Sequence, residues 1–215
     1  MQNFRFDVDE AWAKAHNEML RDTRRLRSSA IVMGVIALIV GVLCFLVLDP
    51  SGPWRVIVPV LCATVTVVAV AVGVAAPRAV GSAQRLYDDY PLVPAVIAEV
   101  KPRTVQLLAL VNVNVDQTQP PRWALALRPV SAIDGHHRKR GTQVPSVAVS
   151  GRRSARSQDT WDEITPMPIA WGTPDTDVIE AARKAIPHEL WEKLEKNRKR
   201  LEDVKKTKLN LLVLD

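Results

Sequence analysis

Two stretches of this chain run for 21 residues each without a charged side chain, Ser28 to Leu48 and Val56 to Ala76. A helix of that length spans roughly 31 Å, the thickness of the hydrocarbon core of a bilayer. Lipid offers no partner to backbone N–H and C=O groups, so a spanning segment must satisfy them internally, and both stretches are expected to be transmembrane helices. Between them Asp49-Pro50-Ser51-Gly52-Pro53-Trp54-Arg55 is short and rich in helix breakers. The two helices are therefore expected to form an antiparallel hairpin, with Trp54 suited to the membrane interface. Thr64 and Thr66 are mildly unfavourable in the second stretch, and Pro59 is expected in its first turn, where a missing N–H removes no intrahelical bond.

The mean hydropathy of the 215 residues is close to zero because strongly charged flanks offset these runs. With 47% apolar and 24% charged residues, a net charge of +6 and two Cys, the chain is neither collagenous, low-complexity nor disulfide-stapled. About 27 residues precede the first run and no small-residue cleavage pattern follows it, which argues against a secretory signal. Arg21, Arg24, Arg25 and Arg27 precede the first span and Arg78 and Arg85 follow the second. This bias predicts that both termini are cytoplasmic.

Neither span contains Asp, Glu, Lys, Arg or His, the groups that ion and proton paths ordinarily need near the midplane. The hairpin reads as an anchor or an assembly surface rather than a carrier. Ala30, Gly34, Ala37 and Gly41 in the first span and Ala69 and Gly73 in the second stand at small-xxx-small spacing. Such spacing lets helices approach closely, within the hairpin or between subunits, and sequence leaves both open. Cys44 and Cys62 fall at similar depth; a disulfide requires that the hairpin face them together, and two small apolar residues at a helix contact is the favoured reading.

The remaining segments divide into an amphipathic segment (1–27), a cytosolic β domain (86–173) and C-terminal helices with a tail (174–215), around a hairpin region at 28–78. In the first, Asp9 or Asp7 is placed to cap a helix running from about Glu10 into the Arg cluster, with Trp12, Ala15 or His16, and Met19 on one face. That helix would lie on the membrane or dock on the β domain. From residue 93 the period changes to two: Val93–Val100, then Val105 to Val115 alternating with more polar neighbours, then Trp123–Arg128, Val144–Val149 and Met167–Trp171. The short connections favour antiparallel hairpins. The Pro in each of the last two strands suggests a sheet edge or a barrel corner. The fold class expected is α+β, with a small antiparallel barrel or sandwich of the SH3-like or OB-like kind. Thr173-Pro174-Asp175 marks a helix start, Pro187 begins another, and Leu190, Leu194, Leu201 and Val204 form a seam interrupted by Asn197. Helix packing on the barrel is favoured over a short coiled coil. Leu209–Leu214 extends this helix or adds a last strand.

Chemical motifs are scarce. No Walker loop, dinucleotide fingerprint, CxxC pair or HExxH occurs, and no cofactor is expected. His136-His137 sits among Arg138, Lys139 and Arg140, whose charges repel a metal ion, and reads as a solvated basic hairpin tip. A catalytic reading would have to assemble Asp116, Asp159, Asp162, Glu163 and the His pair, and nothing in their spacing recommends it. Between Ser131 and Asp159 the cations Arg138, Lys139, Arg140, Arg152, Arg153 and Arg156 face only Asp134 and Asp159. If both loops come from one end of the barrel they form a patch of charge +4 for anionic lipid or a partner. Nucleic acid is disfavoured because no aromatic residues interleave with the cations. The tail from Lys193 to Lys208, with eight cations and three acids, extends the same argument.

Leu92-Val93-Pro94-Ala95-Val96-Ile97-Ala98-Glu99-Val100, Leu107-Leu108-Ala109-Leu110-Val111, Pro121-Arg122-Trp123, Val144 to Gly151 and Pro166 to Thr173 together resemble an uncharacterised family of actinobacterial membrane proteins. The resemblance covers about residues 80 to 200 and the two spans before them. It implies a bacterial inner membrane and no catalytic residue. The function expected is that of a non-enzymatic inner-membrane protein with a cytosolic interaction domain, an accessory subunit of a larger membrane or cell-envelope complex, with a protein partner or a second copy of itself. A membrane-tethered ligand or lipid sensor and an uncharacterised enzyme are the alternatives.

Overall fold

The computed structural model describes residues 4–154 and 157–214, arranged as two units, one of residues 18–81 and the other of 1–17 with 82–215. The first unit is a helical hairpin of α2 (Glu18–Val47) and α3 (Trp54–Val80), following a short α1 (Glu10–His16) that belongs to the other unit. Both hairpin helices are long and apolar enough to cross a membrane. Their outward side chains are aliphatic and open, Leu46 and Val67 each being 69% exposed, as a lipid-facing surface requires. In the turn, the Asp49 carboxylate accepts bonds from the Ser51 backbone N–H (2.9 Å) and hydroxyl (2.7 Å), which hold its pKa below the usual carboxylate value.

Most of the small residues of the spans lie between the two helices. Gly34 faces Ala69, Gly41 faces Cys62 and Gly73 faces Ile31, with Ala30 and Ala69 also buried, while Ala37 is half-buried. Thr66 satisfies its hydroxyl on Cys62 O (2.9 Å) and reaches Gly34 O (3.3 Å) across the contact. Both cysteines are free. Pro59 departs from expectation: α3 begins at Trp54, so Pro59 is its sixth residue and leaves Arg55 O without its helical donor. Gly41→Leu should force the helices apart, because even a Cβ at Gly41 would stand 2.9 Å from Cys62 Cβ. The expected loss is about 1–3 kcal/mol. It would be read as a lower denaturant midpoint for the helical signal in detergent, with Ala37→Leu close to wild type.

The second unit is a six-stranded antiparallel sheet curved into a half-barrel and covered by helices. A short α4 (Ala83–Asp88), capped by the Ser82 hydroxyl, leads into β1 (Leu92–Val100). Then follow β2 (Val105–Asn112), β3 (Trp123–Val130), β4 (Gln143–Ser150) and β5 (Ile164–Pro168). The order is β5-β4-β1-β2-β3-β6, with β6 (Leu211–Val213) as the closing strand on β3. The expected fold class is therefore found, with six strands where the five core strands were expected. Each of the eight residues of β2 is buried, because β5 curls toward one side of the sheet and the C-terminal helices cover the unit.

Three expected boundaries are displaced. β2 ends at Asn112: the Val113 N–H still reaches Arg122 O, but Arg122 N–H goes to Asn112 Oδ1 and Val113 O takes the Trp161 N–H, while Val115 N–H donates to Asp159 O and Asn114 bridges Thr160. The fifth strand is Ile164–Pro168, and Ile169–Trp171 is a 3₁₀ turn. The first helix stops at His16, because Asn17 is extended, so Met19 falls on the next helix. Asp9 caps α1 as expected, and the helix docks on the β unit, Trp12 Nε1 donating to Ala170 O (3.0 Å).

The strand prolines follow one rule, and only one strand of theirs is an edge. β4 lies inside the sheet, between β5 and β1, which corrects the expectation of an edge for it. Pro94 and Pro145 are direct partners across β1 and β4. The bond from Ile97 N–H to Thr142 O sets the alternation, which turns the nitrogens of both prolines away from each other. Each then points toward a neighbouring strand at a level where pairing has ended, since β1–β2 pairing starts at Ala95 and β4–β5 pairing at Ser146. Pro166 and Pro168 of β5 turn theirs to the open edge, where a missing donor also blunts association.

After β5 come α5 (Thr176–Ala185), α6 (His188–Asn197) and α7 (Leu201–Lys206). Asp175 caps α5 through its carboxylate, two residues after the expected start at Thr173, and Pro187 precedes α6. The Leu190–Val204 seam breaks at a 3₁₀ turn over Arg198–Arg200, so it packs on the sheet instead of coiling, with Leu194, Leu201 and Val204 buried.

Candidate functional site

The β2–β3 loop is built to hold its own shape. Asn112 Oδ1 accepts from the N–H groups of Asn114 (3.2 Å) and Arg122 (3.0 Å), and its Nδ2 donates to Gln117 Oε1 (3.1 Å). Gln117 Nε2 donates to Asn114 O (2.6 Å) and Asn114 Nδ2 to Pro120 O (2.8 Å). Side-chain amides matched in this way, with those of Asn112 and Asn114 buried, rigidify a loop that a run of polar residues would otherwise leave free. At its tip the Asp116 carboxylate takes the hydroxyl and backbone N–H of Thr118, which keep it more acidic than usual.

Opposite this loop stands the corner between α5 and α6, and between them opens a cleft of about 570 Å³. Its apolar surface comes from Leu92, Trp123, Ile186, Pro187 and Leu190, and its polar groups from Asn112, Gln117, Gln119 and Glu189. The Lys193 ammonium lies 5.2 Å from the centre of the Trp123 ring, a cation–π contact. Glu189 is the one carboxylate on the described lining, and it is exposed. The cleft can hold an apolar or flat group and orient it through side-chain amides. Sequence reasoning missed it, because its two walls are some 70 residues apart; the amide-rich run Asn112-Val113-Asn114 to Gln119 was the only local signal.

The basic loops do not form one patch. The loop with Arg138, Lys139 and Arg140 precedes β4 and the loop with Arg152 and Arg153 follows it, so they lie at opposite ends of an eight-residue strand. Arg156 lies outside the described residues. Arg153 stacks on Trp161 (5.6 Å), and the second loop is closed by Asp162, whose carboxylate takes the Ser154 N–H (2.6 Å). Hydrogen bonds from Ser157 and Ser154 hold Asp162 below the ordinary carboxylate range.

The first loop instead meets two segments remote in sequence. The Arg138 guanidinium donates to Lys101 O (2.5 Å) and Thr104 O (3.2 Å) in the β1–β2 turn. Gly141, with φ +88°, lies where a Cβ would stand 2.9 Å from an Arg198 guanidinium nitrogen. A bulge at Ala98 sets Glu99, which pairs with Lys205 of α7 at 2.6 Å. That bond, with the fields of Lys101 and Arg140, lowers the Glu99 pKa, while Glu202 and Glu99 raise that of Lys205. Lys101 and Arg103 had no sequence signal linking them to this cluster; the tail was expected to extend the basic surface, and Arg198 and Lys205 do so.

The candidate catalytic carboxylates are not brought to the histidines. Asp116, Asp159, Asp162 and Glu163 occupy the β2–β3 and β4–β5 loops, whereas His136 and His137 lie in the β3–β4 loop at the other end of β4. His136 Nδ1 approaches Asp134 O (3.1 Å). Among the described residues no three His, Cys, Asp or Glu side chains cluster as a metal site.

No curated protein matches the chain. A crystal structure of "a putative membrane protein" from Corynebacterium diphtheriae is similar to it, with 56% sequence identity and a TM-score of 0.56, covering 58% of this chain and 100% of that one. The source is an actinobacterium, in keeping with the resemblance seen in the sequence. A family model described as a protein of unknown function, DUF3239, matches residues 78–202, the β1–β5 core with α4 to α6. With more than half of its length matched, the chain belongs to the DUF3239 family.

Proposed function

We propose that this protein is a non-enzymatic accessory subunit of a bacterial inner-membrane or envelope complex, with both termini in the cytoplasm and the β unit as its docking module. The single observation that carries the reading is the cleft between the β2–β3 loop and the α5–α6 corner. Its shape is fixed by the unit's own amide bonds, and its mouth is formed by exposed Pro121, Ala185 and Pro187 around half-buried Trp123 and Leu190. A preformed apolar recess with an aromatic anchor and a polar rim is the usual core of a protein interface. The division of the candidate acids and the His pair between opposite ends of β4 supports binding over catalysis. The arginines flanking the two charge-free runs support the cytoplasmic placement of both ends.

The test is a tagged purification of the full chain from native membranes in mild detergent, with mass spectrometry of stoichiometric partners. A protein partner is expected with wild type. Trp123→Ala with Leu190→Asp should reduce its recovery by at least about thirtyfold, the effect of losing one interface hot spot. Equal recovery with this double variant, or a homo-oligomer alone, would overturn the reading.

A further inference from the structure

We infer that the end of the half-barrel built from the β1–β2 turn, the β3–β4 loop and the α6–α7 segment is a docking surface for anionic phospholipid headgroups of the membrane that anchors the chain. Lys101, Arg103, Arg138, Lys139 and Arg140 stand there with Arg198 and Lys205, which contact the same loops, and four of the carboxylates nearby are Glu99, Asp134, Glu195 and Glu202. All four carboxylates already have partners: Lys205 takes Glu99 and Glu202, Arg198 takes Glu195 at 2.8 Å, and His16 stands 3.8 Å from Asp134. Among the described residues Lys101, Arg103, Lys139 and Arg140 form no ion pair, and all four are exposed. Their charge is free for an external anion.

The surface is also held in place. Arg138 is committed to two carbonyls of the neighbouring turn, which pins the loop so that Lys139 and Arg140 are presented together. Chain continuity favours lipid over a soluble partner. His16, beside Asp134 of this loop, is one residue from Asn17, where the β unit ends and the helix toward the first span begins. The charge-free run starts at Ser28, about 15 Å of helix later. The chain thus leaves the β unit for the membrane beside this loop, and tethering holds the headgroups at high effective concentration. Each contacting cation near an anionic surface contributes about fivefold in binding, equivalent to about 1 kcal/mol.

The experiment compares the full chain in nanodiscs of phosphatidylcholine alone and of phosphatidylcholine mixed with phosphatidylglycerol, reading hydrogen exchange over residues 101–104 and 134–142. Slower exchange is expected only in the anionic discs, and it should fade as salt is raised. Lys139→Glu with Arg140→Glu removes two contacts and should weaken the protected state about twenty-fivefold or more. Both positions are exposed, so the fold is kept, which unchanged exchange in β2 and β3 would verify. Arg152→Glu with Arg153→Glu, at the opposite end of β4, should leave the protection intact. Equal exchange in the two lipids would overturn the inference. So would equal loss with the Arg152 and Arg153 variant, which would mark a net-charge effect, or protection that requires an added acidic protein.

Discussion

Trp171→Ala is expected to lower the unfolding midpoint of the β unit by about 10–15 °C. Trp171 is fully buried in the 3₁₀ turn after β5, and its indole N–H donates to Ala132 O at 3.0 Å. The Arg128 guanidinium lies 5.0 Å from the ring centre. Removing the ring forfeits its transfer free energy and leaves a cavity that the surrounding strands cannot fully close, a loss of about 3–5 kcal/mol. The Ala132 carbonyl also loses its donor. For a unit of this size each kcal/mol is worth about 2–4 °C. The measurement is a calorimetric scan of the full chain in detergent at one scan rate for both proteins. Trp54→Ala, at a side chain 62% exposed, serves as the comparison and should leave that transition in place. An unchanged midpoint for Trp171→Ala would show that the turn does not close the core.

Gly172→Val is expected to undock the N-terminal segment from the β unit. The backbone at Gly172 is ordinary, with φ −98°, so any cost is steric. A Cβ there would stand 2.7 and 2.8 Å from two carbons of the Tyr87 ring and 3.0 Å from Phe6. Neither ring can yield freely. Tyr87 is buried, its hydroxyl donates to Pro168 O at 3.0 Å, and Phe6 packs edge-on at 5.1 Å. Burial also raises the Tyr87 pKa, so the phenol keeps its proton and remains a donor. Val adds three carbons, and overpacking of this kind costs about 1–3 kcal/mol or more. The same contact holds Asp9, whose N–H donates to Gly172 O at 2.9 Å. Hydrogen exchange at Asp9 and Trp12 should therefore accelerate at least tenfold while β2 and β3 keep their protection, the signature of local opening. Slow exchange at Asp9 in Gly172→Val would show that the ring contact has room to spare.

These two sites show how far the sequence carries. Trp171 is legible as the end of an apolar fifth strand at Met167–Trp171, but alternation cannot reveal that the strand begins at Ile164 and turns into a 3₁₀ step after Pro168. Tyr87, Phe6 and Gly172 carried no joint signal, being separated by 81 and 85 positions. The amphipathic helix from Glu10 was legible, with its Asp9 cap. Whether it lay on lipid or docked on protein was not, since its apolar face suits either; Trp12 bonding to Ala170 O decided it. The long alternation through Val115 was also real, but its last residues exchange β3 for residues 159–161 as partners, and pairing of that range leaves no local trace.

The candidate sites divide in the same way. Clusters of cations are written in the sequence, but their grouping is not. Two basic loops flanking one strand must sit at its opposite ends, and this follows only once β4 is known to run uninterrupted from Gln143 to Ser150. The cleft could not be foreseen, because it belongs to neither of the segments that form it.

By itself the sequence determined the two apolar helices, the antiparallel pairing of the core strands and the helical C-terminal part. Each depends on local quantities, namely uninterrupted apolarity, alternation with short connections, and helix-start residues before a four-and-three spacing. Only the tertiary structure decided which loops share an end of the sheet, where Pro94 and Pro145 could be tolerated, and that Leu211–Val213, within the Leu209–Leu214 segment, closes the sheet on β3 rather than extending a helix. The physical reason is that register and curvature are set by burial summed over strands distant in the chain, and no segment contains that information alone.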